Sequence, residues 1–70
     1  MDFQNLTEQN KTDIKDVVNA YCGVKRVTSV YGANLKNSTL TIYLHTDENN
    51  FFEMDYGEFR RTFNELILGA

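Results

Sequence analysis

Leu40, Ile42 and Leu44 alternate with Thr39, Thr41, Tyr43 and His45. A chain carrying that pattern must build a strand with one face in a core and the other turned away from it, because successive strand side chains point to opposite sides. On either side of this stretch the period changes. Ile14, Val17, Val18 and Tyr21 recur at i, i+3, i+4 and i+7, and Phe59, Phe63, Leu66 and Ile67 at i, i+4, i+7 and i+8, the spacing of an apolar stripe along a helix.

The limits of these elements follow from local chemistry. Asp55-Tyr56-Gly57-Glu58 places a carboxylate at the N-cap and a glutamate three residues on, with Met54 and Phe59 at the two positions of a hydrophobic staple. This predicts a helix over about 56–68, with Gly69 as its stop. The first helix is predicted over about 6–21; Asn5, Thr7 and Thr12 can each cap its start, and Gly23 sits where a left-handed cap ends it. Strands are expected over about 24–31, 38–46 and 51–54. Within the first, facing Val24 and Val30 inward also turns Arg26 inward, and desolvating an unpaired guanidinium costs more than exposing a valine, so Val27 and Tyr31 are assigned to the core. Asp47-Glu48-Asn49 fits a three-residue hairpin loop with the asparagine in the left-handed position. That loop sets Leu44 opposite Phe52 and Ile42 opposite Met54 inside, His45 opposite Phe51 and Tyr43 opposite Glu53 outside. The expected fold is α+β: a two-layer α-β-β-β-α arrangement with a three-stranded antiparallel meander and both helices on one face.

Seventy residues are read as one domain with a thin stability margin, since a single core of this size supplies only ~3–5 kcal/mol. Cys22 is the only cysteine, so no intrachain disulfide reinforces it. With no apolar run long enough to cross a bilayer, and with Met1-Asp2-Phe3-Gln4-Asn5 unlike a secretory leader, the expectation is a cytoplasmic protein without a membrane partner. The formal charge of -3 is uneven. Residues 1–20 hold four acids against Lys11 and Lys15, residues 21–46 hold only Lys25, Arg26 and Lys36, and residues 47–70 hold six acids against Arg60 and Arg61. A polyanion has little to bind outside the middle segment, which disfavours nucleic acid as a partner.

Catalytic chemistry finds no constellation. Acyl transfer needs a nucleophile, a base and an orienting group, and the chain offers one histidine, His45, and one cysteine, the latter read as a buried or half-buried residue near a helix end. Calcium ligation fails in a similar way. Aligning Asp47, Asn49, Glu53 and Glu58 on an EF-hand loop puts Phe51 at a ligand position and Phe52 where the sharp turn requires glycine. Structural zinc needs four cysteine or histidine ligands, and the chain has two such residues. The isolated glycines form no phosphate loop. The chain is therefore expected to be non-enzymatic, with no cofactor and no metal.

Two candidate surfaces are left, the outer face of the sheet and the acidic segment from Asp47 to Glu58. In the predicted register Arg26, Thr28 and Val30, then Thr39, Thr41, Tyr43 and His45, then Phe51 and Glu53 share the outer face. The partner-binding residues are taken as Arg26, Tyr43, His45, Phe51, Glu53, Asp47 and Glu48. An open sheet face carrying aromatics can dock a protein, stack bases or pair with a second copy of itself. Glu53, Asp47 and Glu48 beside the aromatics repel phosphates, which favours a protein. A compact acidic chain rich in Asn, Thr, Tyr and Phe, with no catalytic set, is similar in general type to small phage or mobile-element accessory proteins. That similarity implies a stoichiometric inhibitor or regulator of a larger host protein, such as a nucleic-acid-handling enzyme. The alternatives are a single-stranded nucleic-acid binder on the hairpin face and a self-associating structural protein, for instance a homodimer.

Overall fold

The computed structural model describes residues 1–23, 27–44 and 50–69. Of the three candidate caps, Thr7 opens α1 (Glu8–Cys22). Its hydroxyl accepts the Asn10 N–H at 3.0 Å, and the Asn10 side chain accepts the Thr7 N–H at 3.2 Å, which satisfies two backbone donors reciprocally. The rivals are engaged elsewhere: Asn5 donates to Asp2, and Thr12, inside the helix, donates to the Glu8 carbonyl. Gly23, at φ 72°, closes the helix in the left-handed conformation and returns its N–H to Ala20.

Three antiparallel strands follow in the order β1 (Val30–Lys36), β2 (Thr39–Leu44), β3 (Phe51–Asp55), with β2 in the centre. Asp55 then caps α2 (Tyr56–Leu66) by accepting the Glu58 N–H at 3.2 Å. Met54 and Phe59, the staple pair, are both buried. The α+β meander with both helices on one side is thus the architecture. The core lies between sheet and helices: Ile14, Val17 and Val18 from α1, Phe59 from α2, and Val30, Leu40, Ile42 and Met54 from the sheet. Fully burying side chains such as Leu40 and Ile42 contributes roughly 1.5–3 kcal/mol each. The helical stripes loosen toward their C-terminal ends, where Tyr21 is 46% and Leu66 47% exposed.

The first strand departs from expectation. It spans Val30–Lys36 rather than 24–31, and it joins β2 through a two-residue turn, Asn37-Ser38, closed by the Lys36–Thr39 pair. Both turn residues have positive φ, 52° and 66°, the signature of the type I′ turn whose twist matches that of a hairpin. Residues 27–29 are not strand. Val27 is held instead by the Asn19 side chain, which donates to its carbonyl and accepts its N–H, both at 3.1 Å.

Residues 27–29 carry no strand alternation, so the two inward assignments part company: Val27 packs, partly buried, against the core, whereas Tyr31 does not enter it. Val30 is buried, Val27 is only partly so, and Tyr31 is 49% exposed. A bulge at Tyr31 shifts the pairing between Val30–Leu44 and Gly32–Tyr43. The extra residue lets Val30 and Ala33, three positions apart, share the inner side.

The β2–β3 register is displaced by two residues from the expected one. Ile42 pairs with Phe52, Leu40 with Met54, Tyr43 with Phe51 and Thr41 with Glu53, and the Leu44 N–H reaches the Asn50 carbonyl at 2.7 Å. A slip of two preserves which side chains face inward, so the predicted faces survive while the predicted partners do not. The proposed Asp47-Glu48-Asn49 loop lies outside the described residues.

Candidate functional site

Pairing across the three strands arranges the outer face into rows. Gly32, Tyr43 and Phe51 form the first, Asn34, Thr41 and Glu53 the second, and Lys36, Thr39 and Asp55 the third. Thr39, Thr41 and Tyr43 alternate with the inward Leu40, Ile42 and Leu44, and both helices lie on the inner side, so these rows are turned away from the core.

The first row carries the apolar surface. The rings of Tyr43 and Phe51 meet edge to face, with centroids 6.5 Å apart and planes at 61°, a favourable geometry for two quadrupoles. Tyr43 is half-buried, and Phe51 remains 52% exposed. On the other flank of Tyr43, Gly32 has no side chain, and a Cβ built there would meet nothing within 4 Å. The row is therefore a notch, a ring and a raised ring in sequence across the sheet.

The second and third rows are polar and change sign from one edge to the other. Asn34 and Lys36 stand on β1, Glu53 and Asp55 on β3, with two threonines between. Asp55 also caps α2, so its carboxylate is turned toward the first turn of that helix.

Of the residues singled out from sequence, Tyr43, Phe51 and Glu53 come together on this face, Tyr43 opposite Phe51 and Glu53 one row away. Arg26, His45, Asp47 and Glu48 lie outside the described residues, and Phe51, expected opposite His45, stands opposite Tyr43. Val30, expected on this face, is in the core, and Thr28 is outside the sheet. Gly32, Asn34 and Lys36 take their places. The signal that marks them is the Asn37-Ser38 turn, because asparagine tolerates the left-handed region and a two-residue turn sets the register of both flanking strands.

Elsewhere, Phe3 packs edge-on against Tyr56 and Phe59, and the Arg60 guanidinium lies 5.9 Å over the Tyr56 ring. Arg61 pairs with Glu58, and at that exposure the pair is worth at most about 1 kcal/mol. Cys22 is exposed at the end of α1, not buried as expected. Among the described residues no group of three or more His, Cys, Asp or Glu side chains is placed to hold a metal ion, and no helix is long and apolar enough to cross a membrane. Comparison with protein-family models, with curated proteins and with solved structures found no match.

Proposed function

We propose that this chain is a non-enzymatic binding module whose outer sheet face docks another protein, acting stoichiometrically to occlude or regulate a larger one. The observation that carries the reading is the Tyr43–Phe51 pair. It is a large apolar element, half exposed at Phe51, on a face turned away from both helices, and aromatic residues set among polar neighbours are what protein interfaces favour at their centres. The charge of the face supports a protein over a nucleic acid. Glu53 and Asp55 outnumber Lys36 across the rows, so a phosphate backbone laid there gains little from counterion release.

The test is affinity capture from the native host with the wild-type protein and with Phe51→Glu, each first checked for folding by circular dichroism. The proposal expects a protein retained by the wild type and lost with the variant. Equal retention by both removes the outer face from consideration.

A further inference from the structure

We infer that the outer sheet face is self-complementary about a two-fold axis along β2, and that a second copy of this chain occupies it, closing the face that a larger protein would otherwise use. The inference rests on the reading that this face docks protein, and it names the regulation of that same surface.

A two-fold axis lying on the outer face and running along β2 lays β1 of one copy over β3 of the other and keeps each row over itself. Every row then meets its complement twice. In the first, the raised Phe51 of one copy stands over the open notch at Gly32 of the second. In the next, the Asn34 amide faces the Glu53 carboxylate. In the last, Lys36 of one copy lies over the end of β3 of the other, where Asp55 caps α2. This is the reciprocity that an isologous interface requires, residue i on j and j on i. Two packed sheets cross at about 30°, an angle small enough to keep the rows matched near the axis.

The other two-fold that could stack these faces runs across the strands, and it fails. It sets Glu53 over Glu53 and Phe51 over Asp55, placing like charges together and a carboxylate against the face's most exposed ring. The pattern of side chains thus selects one orientation and penalises the other.

Strands about 4.8 Å apart and rows spaced along about 14 Å of strand give a patch of a few hundred Å² per copy, below the about 800 Å² per partner of a stable interface. The dimer is accordingly weak and governed by concentration. A larger protein competes for the face by mass action, and self-association sets how much of it is free.

Sedimentation equilibrium on the intact chain at concentrations up to about 1 mM tests this, with three substitutions on the outer face beside the wild type. Gly32→Val fills the notch at a site with open space around its Cβ and negative φ, so the monomer stays folded while the dimer weakens at least about tenfold. Asn34→Glu sets carboxylates against Glu53 and weakens the dimer by a similar factor, and Asn34→Lys tightens it several-fold. A wild type that stays monomeric throughout, or a dimer indifferent to all three changes, overturns the inference. If the wild type is monomeric yet Phe51→Glu still abolishes capture of a host protein, the second copy is excluded and the docking face stands. If capture is also insensitive to Phe51→Glu, both fall.

Discussion

Tyr43 and Phe51 stand directly opposite each other on β2 and β3, ring centroids 6.5 Å apart, on the side of the sheet turned away from both helices. Ile42, one residue from Tyr43, points the other way and is completely buried. The proposed docking surface and the core are therefore built from neighbouring residues with opposite orientations, and substitutions can separate them. Phe51→Ala removes a cross-strand contact worth about 0.2–1 kcal/mol, whereas Ile42→Ala opens a core cavity at about 2–5 kcal/mol. Urea titration is expected to show Phe51→Ala folded near the wild-type midpoint and Ile42→Ala largely unfolded, since the whole domain has only ~3–5 kcal/mol to lose.

Asn19 ties the segment after α1 to the helix by bonding both backbone groups of Val27. Asn19→Ala leaves a part-buried donor and acceptor without partners, a loss of about 1–3 kcal/mol. Hydrogen exchange at the Val27 amide is expected to accelerate by more than global destabilisation alone accounts for. An unchanged amide would mean that this side chain does not hold the segment.

Ser38 occupies the left-handed region at φ 66°, and its carbonyl accepts the Tyr56 N–H at 2.9 Å. The turn thereby braces the start of α2. Ser38→Gly keeps that carbonyl and relieves the left-handed penalty, partly offset by glycine's entropy, for a net gain of about 0.5–1 kcal/mol. Ser38→Val is expected to lower stability instead, and thermal melts of the two variants should move in opposite directions.

Asp55 closes β3 and caps α2 through the Glu58 N–H. Asp55→Ala is expected to cost about 1 kcal/mol, and Asp55→Asn, which keeps an acceptor, only a small fraction of that. Denaturant midpoints for the pair check it. Equal losses would show that charge rather than capping matters at this corner.

The parts of this fold legible from residues alone are those in which local chemistry and periodicity agree. The Asp55 cap, the Met54–Phe59 staple and the Leu40–Ile42–Leu44 alternation each placed an element and its inward side correctly. Strand one was harder because its evidence is not local. Its turn contains no glycine, its inward period is broken by the bulge at Tyr31, and Val27 takes a side chain of α1 as its hydrogen-bonding partner instead of a strand. The two-residue slip between β2 and β3 is invisible to any alternation argument, since parity is unchanged. The same holds for the face itself. Tyr43, Phe51 and Glu53 follow from the pattern, whereas Gly32, Asn34 and Lys36 require the position of the Asn37-Ser38 turn.

The proposed docking face requires that Tyr43 pair with Phe51 and that neither ring be folded under a helix, and nuclear Overhauser spectroscopy of the intact chain measures this most directly. The account predicts strong ring-to-ring contacts between Tyr43 and Phe51, with none from Tyr43 to Val17 or Phe59. Contacts from the Tyr43 ring to either helix, or Tyr43 directly opposite Glu53 in place of Phe51, would contradict it.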